Sequence, residues 1–374
     1  MTAKYDYLVI GAGISGAAAA YELTRFGSVV VIEAETTPGY HSTGRSAALY
    51  TPNYGSATVR RVNQASSTFF TDPPAGFCDH PLLTPRGSLV IAAPGEEDRL
   101  TAILALPGSG GAIEKVTAAR ALELAPVLRP ERVSAAAYEK GVMDIDVAAL
   151  HQGYLRGIKR RGGVVICGNR IQRLDRSGTY WQAIAGDTVM SGRVIVNAAG
   201  AWAGQIGEMA GAAPIGLVPK RRTAIILDPP PATNVNAMPA IDYVAGDAYL
   251  KPDAGRIMAS PGDQTPVEPQ DVRPEELDIA LLVDWLERET FVPVRRIAHS
   301  WAGLRSFVAD ETPVVGFDST VPDFFWLAGQ GGYGIMMAPA LGRAAADLIV
   351  SGNLPVELRE EGIGEADLSP ARFS

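Results

Sequence analysis

Three glycines near the start of the chain, Gly11, Gly13 and Gly16, have the spacing G-x-G-x-x-G. They follow the apolar segment Tyr5–Ile10, which predicts a strand, and they open the apolar run Ala17–Leu23, which predicts a helix. In such a turn the first glycine permits a tight bend, the second lets a pyrophosphate approach the backbone, and the third lets helix and strand pack closely. The helix N-terminus would supply free amide groups and a partial positive charge for phosphate.

A second predicted strand, Ser28–Ile32, ends at Glu33, whose carboxylate can accept hydrogen bonds from ribose hydroxyls. The glycine turn alone is a weak signal, because such turns also occur in α/β proteins that bind no nucleotide. With the strand before it, the helix after it and the acid at the end of the next strand, it predicts a dinucleotide site. We expect Ile14, Ser15 and Ala34 to belong to the same site.

Two later segments favour FAD over NAD. The polar loop Ser42–Ser46 follows the second predicted strand, where it can reach the flavin end of an extended dinucleotide. A turn with Gly331 and Gly332 precedes the predicted helix Met336–Val350, whose N-terminus can face the electron-rich edge of a reduced flavin. We therefore expect FAD as the cofactor, bound non-covalently, and we favour neither a covalent tether nor a catalytic role for His41.

Arg305 has the setting of a carboxylate-binding residue. It lies in the apolar segment Trp301–Val308, and a buried guanidinium is rarely left without an anion. Its planar fork matches a carboxylate in two parallel hydrogen bonds. The alternative is a structural ion pair, for which Asp310 and Glu311 are the nearest candidates in sequence.

A second arginine and two tyrosines are candidates for the same pocket. Only alternate side chains of a strand share one face, so Arg222 points inward if Arg221 lies on a solvated basic face, which is the interpretation we favour. Tyr249 precedes a strand-to-turn signal and can stand at a strand end over the flavin. Core packing is the simpler interpretation of Tyr54 from its residue type alone.

The bulk composition fits an enzyme of about two domains. The chain has 374 residues, of which 47% are hydrophobic and 20% charged, as in globular proteins. A net charge of −8 argues against a nucleic-acid partner. Cys78 and Cys167 have no disulfide or metal-ligand spacing, so we expect no metal site. The sequence contains no apolar run of about 18 residues, so we expect no integral membrane segment. We expect a cytoplasmic protein and leave peripheral membrane contact open.

Glycine turns near both ends of the chain and in its middle indicate one nucleotide-binding domain built from separated segments. We assign residues 1–80, 147–218 and 300–374 to an FAD-binding domain of Rossmann type, in the α/β class. Residues 81–146 and 219–299, which contain short strands without that pattern, are assigned to an α+β substrate domain.

Five segments together resemble the D-amino acid oxidase superfamily of flavoproteins. They are Gly11–Gly16, Tyr40–Ala47, Asn197–Trp202, Trp301–Arg305 and Gly329–Gly334. Within the superfamily, the likeness is greatest to the bacterial FAD-dependent D-arginine dehydrogenase and related D-amino acid dehydrogenases. The resemblance extends from the first predicted strand to the C-terminal tail.

The resemblance implies a Rossmann-type FAD domain and a substrate domain whose mixed β-sheet covers the flavin. It also implies oxidative deamination of a D-amino acid: hydride transfer to flavin N5 gives an imine, which water hydrolyses to a 2-oxo acid and ammonia. By position, Arg222 and Arg305 are similar to the pair that holds the substrate carboxylate. Tyr54 and Tyr249 resemble the pocket tyrosines, and Gly332 resembles the backbone contact to the amino group.

Motif and resemblance together give a set of expected cofactor residues. These are Gly11, Gly13, Ile14, Ser15, Gly16, Glu33, Ala34, Ser42, Thr43, Arg45, Ser46, Ala47, Ala48, Arg170, Ile171, Ala199, Gly200, Trp202, Arg305, Gly331, Gly332, Tyr333, Gly334 and Ile335.

Two positions depart from the arginine-specific relatives. Their acidic pocket residue falls at Ser88, and a histidine of their active-site loop falls at Leu49. With Thr51 and Met336 as further pocket residues, no carboxylate is evident for a cationic side chain, so we expect a preference for neutral or apolar amino acids. The alternative is a cyclic or N-alkyl amino acid, of proline or sarcosine type, or a 2-hydroxy acid. The electron acceptor, a quinone or oxygen, is left open.

Overall fold

The computed structural model describes residues 4–51, 53–105, 113–246 and 248–373. The strands in these ranges are β1 (Lys4–Ile10), β2 (Val29–Ile32), β3 (Leu49–Tyr50), β4 (Leu83–Pro85), β5 (Ser88–Ala92), β6 (Ile113–Val116), β7 (Ala135–Glu139), β8 (Met143–Ile145), β9 (Val164–Ile166), β10 (Arg173–Ser177), β11 (Tyr180–Ala185), β12 (Thr188–Asn197), β13 (Val218–Leu227), β14 (Ala240–Tyr243), β15 (Tyr249–Asp253), β16 (Arg256–Ser260), β17 (Ile297–Phe307), β18 (Val314–Phe317) and β19 (Phe324–Ala328). The α-helices are α1 (Ile14–Leu23), α2 (Ala57–Ala65), α3 (Ser67–Thr71), α4 (Glu97–Leu104), α5 (Ala118–Leu124), α6 (Val147–Arg160), α7 (Ala203–Ala210), α8 (Glu276–Glu289), α9 (Gly334–Ser351), α10 (Val356–Glu360) and α11 (Glu365–Leu368).

The first sheet is built on parallel strands in the order β9-β2-β1-β12-β19. Every residue of β2 is buried, as expected for a wholly apolar strand in the middle of a parallel sheet. β11 pairs antiparallel with the first half of β12 and with β10, while β18 pairs antiparallel with β19. This arrangement confirms the predicted α/β class with a Rossmann-type unit at the N-terminus.

The second sheet has the strand order β17-β13-β16-β15-β14-β5-β7-β6. It is mixed, because β14 and β5 run parallel while its other neighbouring pairs run antiparallel. A short sheet, β3-β8-β4, lies apart from both. The predicted domain boundary at residue 300 falls inside β17, which pairs with β13 from Ile297 to Phe307 and therefore belongs to the second sheet.

Helices α1 and α9 begin at the same edge of the first sheet, because β1 and β19 are parallel and each leads into one of them. The alanines of α1 are buried, and a Cβ added to Gly342 of α9 would lie 2.7 Å from the Cβ of Ala18. The missing side chain lets the two helices pack closely. By length and composition α9 could cross a membrane, but 61% of it is buried within the fold.

Candidate functional site

The glycine turn between β1 and α1 is tight. Gly11 has φ +100°, and its N–H donates to the carbonyl of Ile32 at 2.8 Å. A Cβ added to Gly11 would lie 2.5 Å from the carbonyl oxygen of Ala198, and one added to Gly16 would lie 1.9 Å from that of Gly11. Only glycine at these two positions permits the bend and the close contact of helix with strand.

Glu33 is fixed at the end of β2 beside this turn. Its carboxylate accepts hydrogen bonds from the N–H groups of Ala12 at 2.7 Å and Glu35 at 2.9 Å. The hydroxyl of Thr43 accepts from the N–H of Ile14 at 3.0 Å. The turn, the acidic residue and the following loop are therefore held together by hydrogen bonds.

The loop that carries the predicted flavin contacts is tied to the second sheet. The hydroxyl of Ser42 donates to the carbonyl of Leu304 at 2.6 Å, and the indole N–H of Trp301 donates to the carbonyl of Arg45 at 3.0 Å. The guanidinium of Arg45 pairs with Asp271. These bonds fix the loop against β17. The loop therefore lies between the first glycine turn and the second sheet.

A second glycine turn connects β19 to α9. Gly331 has φ +53°, its N–H donates to the carbonyl of Ser306 at 2.9 Å, and an added Cβ would lie 2.3 Å from the ring of Phe307. A Cβ added to Gly332 would lie 3.0 Å from Nη1 of Arg305. The turn therefore needs glycine to approach β17, and it places the Gly332 backbone beside the Arg305 guanidinium.

Polar and aromatic side chains cluster next to the first glycine turn. Arg170 pairs with Glu35 at 3.0 Å, and Nε2 of His41 lies 3.1 Å from the same carboxylate. The ring centroids of His41 and Trp202 are 4.6 Å apart. Arg170 and Trp202, both predicted at the cofactor, therefore share one cluster, which sequence reasoning did not foresee because its members come from three separate segments.

A cavity of about 630 Å³ extends from the first glycine turn to the inner face of the second sheet. The residues predicted to contact cofactor or substrate all line this cavity except Gly16, which packs against the backbone of Gly11. The structure thus brings together residues from both sheets and both glycine turns. Their individual roles stay predictions.

One face of the second sheet forms the wall opposite the nucleotide turn, because alternate residues of a strand point to the same side. The wall carries Gly303 and Arg305 of β17, Arg222 and Ala224 of β13, Tyr249 of β15, Asp242 of β14, Ser88 and Val90 of β5, and Glu139 of β7.

Arg222 and Arg305 form the cationic part of this wall. Nε of Arg222 donates to the backbone carbonyl of Asp263 at 2.8 Å, and Nη2 of Arg305 donates to the hydroxyl of Tyr249 at 3.4 Å. Neither guanidinium forms an ion pair with a carboxylate in the described part of the chain. Burial and the neighbouring charge of Arg305 lower the pKa of Arg222.

Neither alternative partner proposed for Arg305 forms an ion pair with it. Asp310 accepts from Nε of Arg372 at 2.8 Å, and Glu311 forms no ion pair with Arg305. Burial lowers the pKa of Arg305, but the neighbouring tyrosines Tyr249, Tyr54 and Tyr333 together outweigh it, so the pKa is raised. Arg305 is thus a permanent cation facing the cavity.

The tyrosines of the pocket surround this cation. Burial alone would raise the pKa of Tyr249, but Arg305 and Arg222 lower it below its ordinary value. Tyr54 is 49% exposed, so it is not a core residue, and its ring lies 5.1 Å from that of Tyr333. Burial raises the pKa of Tyr333 to about 12.

The interpretation of Arg221 as part of a solvated basic face is wrong. Its guanidinium is buried and pairs with Asp278 at 2.8 Å, Glu275 at 2.9 Å and Asp263 at 3.5 Å. Helix α8 and the segment before it supply two of these acids, a long-range contact that the local charge run does not reveal. The strand alternation itself is observed, because Arg222 lines the cavity on the other face.

The expectation that the pocket lacks a carboxylate is also wrong. Asp242 and Glu139 both line the cavity, on strands paired with β5. Glu139 accepts from the amide of Asn53 at 2.8 Å, and burial raises its pKa. Burial likewise raises the pKa of Asp242 to about 6. The available signal was the single acid in the apolar strand Ala240–Tyr243.

The residues present fit an extended dinucleotide. The positions where a side chain would block the first turn are glycines, and the first turn of α1 lines the cavity at Ile14 and Ser15. Glu33 lies at the strand end where a ribose would be placed. The Ser42–Ser46 loop and the Gly331–Gly332 turn continue the same cavity toward the arginine wall.

Comparison with known proteins identifies similar chains along the full length. The sequence profile of the family described as "DAO: FAD dependent oxidoreductase" matches residues 6–348. The chain is 24% identical to the bovine FAD-dependent oxidoreductase domain-containing protein 1 over 432 aligned positions, covering 99% of this chain and 84% of the relative. It is 23% identical to glycine oxidase of Geobacillus kaustophilus, covering 93% and 94% of the two chains.

Solved structures show the same fold. The crystal structure of that glycine oxidase gives a TM-score of 0.79 at 21% identity, covering 93% of this chain and 95% of the other. L-α-glycerophosphate oxidase from Mycoplasma pneumoniae, solved with FAD bound, gives a TM-score of 0.83 at 18% identity, with the same coverage of 93% and 95%.

Proposed function

The chain belongs to the DAO family of FAD-dependent oxidoreductases, and on that premise we propose that it oxidises the Cα–N bond of a small amino acid whose carboxylate binds Arg222 and Arg305. FAD is the cofactor. The observation that carries the proposal is the pair of half-buried guanidinium groups facing the cavity without a carboxylate partner among the described residues. A bound carboxylate would supply the missing anion.

The residues of the wall orient this substrate. Bound FAD supplies the two-electron acceptor. Arg222 and Arg305 hold the carboxylate, which fixes the direction of the Cα–H bond, and such positioning contributes much of the rate in reactions that need little acid–base chemistry. The Tyr249 hydroxyl, which accepts from Arg305 at 3.4 Å, keeps that guanidinium in place. We assign a contact with the amino group to the backbone of Gly332, which lies beside Arg305.

We further propose that the substrate is a D-amino acid with a neutral side chain, deaminated to a 2-oxo acid and ammonia. Ser88 and Val90 give the wall a neutral surface, and Leu49 and Met336 add apolar surface opposite. The nearby carboxylate of Glu139 is engaged by Asn53, as described above. The similarity to glycine oxidase supports an amino acid as substrate, and the D configuration rests on the sequence resemblance.

Steady-state oxidation of a substrate panel with an artificial electron acceptor tests the proposal. The panel contains D- and L-methionine, D- and L-phenylalanine, D- and L-proline, D-arginine, sarcosine and D-lactate, with ammonia, amine and 2-oxo acid measured as products. We expect D-methionine or D-phenylalanine to lead, with ammonia released. A lead for D-arginine would refute the side-chain preference, and a lead for sarcosine or proline would favour the N-alkyl or cyclic class. A lead for D-lactate would refute an amino acid substrate.

A further inference from the structure

Asp242 is a carboxylate that lines the cavity. Its side chain lines the cavity from strand β14 and is accessible from that space. It forms no hydrogen bond or ion pair with any side chain in the described ranges. A carboxylate that faces a cavity with no partner among the described side chains is free to accept a hydrogen bond from a ligand.

The position of Asp242 is set by the sheet. In the ladder of β14 and β15 it lies directly opposite Tyr249, whose hydroxyl accepts from Arg305. Both Arg222 and Arg305 act on its charge, although neither comes within ion-pair distance of it. Asp242 is therefore next to the carboxylate-binding arginines but separate from them.

The wall carries two cations, Arg222 and Arg305, and the anion Asp242, which complement the carboxylate and the ammonium group of an amino acid. In an α-amino acid the nitrogen is bonded to the carbon that carries the carboxylate, so a group beside the arginines meets it. Resting on the proposed function, we propose that Asp242 is a specificity-determining residue, which accepts a hydrogen bond from the substrate's α-amino group and so selects amino acids over 2-hydroxy acids and simple carboxylates.

Other parts of the wall do not offer the same acceptor. One oxygen of Glu139 already accepts from Asn53. The positive charge of Arg60 also acts on this carboxylate and partly opposes the rise in pKa that burial causes. Ser88 lies two positions before Val90, which pairs with Asp242, and carries no charge. At pH 8 Asp242 is ionised, because its pKa is about 6. It is thus an anion under the conditions in which an amino acid carries an ammonium group.

A pair of ligands that differ only in the amine tests this assignment. 2-Aminoisobutyrate has no α-hydrogen and cannot be oxidised at that carbon, and isobutyrate lacks the amine; neither is chiral at Cα. Their dissociation constants are measured on the FAD-bound protein at pH 8 from perturbation of the flavin spectrum and from thermal shift. The variants are D242N and D253N, the latter removing an exposed carboxylate from the neighbouring strand β15.

We expect D242N to raise the dissociation constant of 2-aminoisobutyrate by about 10- to 100-fold, the usual contribution of a hydrogen bond to a charged group. Isobutyrate should bind to D242N as tightly as to wild type, or more tightly. D253N should change neither constant. A merely structural role for Asp242 would move both ligands together, and that result would overturn the assignment, as would unchanged binding in D242N.

The assignment and the proposed function fail in different ways. If wild-type protein binds both ligands alike while an amino acid of the panel still reduces the flavin, only the assignment fails. If wild-type protein binds neither ligand and no amino acid reduces the flavin, the proposed function fails and the assignment falls with it.

Discussion

Replacing Arg221 or Arg305 by methionine should give effects of opposite kind, because Arg221 is buried among carboxylates and Arg305 is half-buried with no carboxylate partner in the described ranges. Arg221 contacts three carboxylates, the nearest at 2.8 Å and the next at 2.9 Å. Arg305 has no carboxylate partner among the described residues; it donates to the Tyr249 hydroxyl at 3.4 Å and lies near the like charge of Arg222. R221M is therefore the matched control for R305M: the same substitution, in the strand paired with β17, on the opposite face of the sheet.

The expected magnitudes follow from these contacts. R221M leaves the buried carboxylate of Asp263 and its neighbours uncompensated, which should lower the free energy of unfolding by about 3–5 kcal/mol. R305M removes a half-buried cation that has no carboxylate partner among the described residues, so stability should change by no more than about 1 kcal/mol or should rise. If Arg305 binds the substrate carboxylate, the variant should lose about 2–5 kcal/mol of transition-state stabilisation. This corresponds to a fall in kcat/KM of roughly 30- to 5,000-fold.

Urea denaturation at a fixed excess of FAD gives the stability of each variant, and steady-state kinetics with the best substrate of the panel gives kcat/KM. R221M protein that remains folded should keep a KM close to that of wild type. The reasoning is refuted if R305M loses about 3 kcal/mol or more of stability while its kcat/KM is unchanged, because Arg305 would then act as a structural cation.

Three further predictions concern the cofactor, the side-chain pocket and pH. G16A should lose FAD, because its Cβ would lie 1.9 Å from the Gly11 carbonyl oxygen, whereas G204A, which meets nothing within 4 Å, should keep it; the flavin-to-protein absorbance ratio distinguishes them. S88E should raise kcat/KM for D-arginine relative to D-methionine, and an unchanged ratio would argue against contact of this position with the substrate side chain. Burial lowers the pKa of His151 below 6.5, so the unfolded chain binds a proton that the folded chain does not, and stability should fall as pH drops below about 6.5. H151Q should flatten this decline in urea midpoints, and a decline as steep as that of wild type would contradict the assignment to His151.

The nucleotide half of the site could be predicted because its signals are local. Gly11, Gly16 and Glu33 belong to one short strand–turn–helix–strand segment, whose spacing alone indicates the geometry. The buried strand β2 was equally clear, since its four residues are all apolar and β-branched. The late turn at Gly331 was found for the same reason, although its tight contact with Phe307 was not.

The substrate half was harder because it depends on strand pairing across the chain. Asp242 enters the cavity only because β14 lies between β5 and β15, a register that no local pattern specifies. Arg221 appeared solvated until α8, some fifty residues away, placed Asp278 against it. Glycine turns and strand periodicity can be read from sequence, whereas the identity of the cross-strand neighbours had to come from the structure.

The central claim is that an amino acid, held by its carboxylate at the arginine wall, reduces the bound flavin. Anaerobic mixing of the FAD-bound protein with the D- and L-amino acids of the panel, followed by flavin absorbance, tests it most directly. The account predicts rapid and saturable bleaching by at least one neutral D-amino acid, with dithionite giving the same end point. Flavin that dithionite bleaches but that no amino acid of the panel bleaches would contradict it.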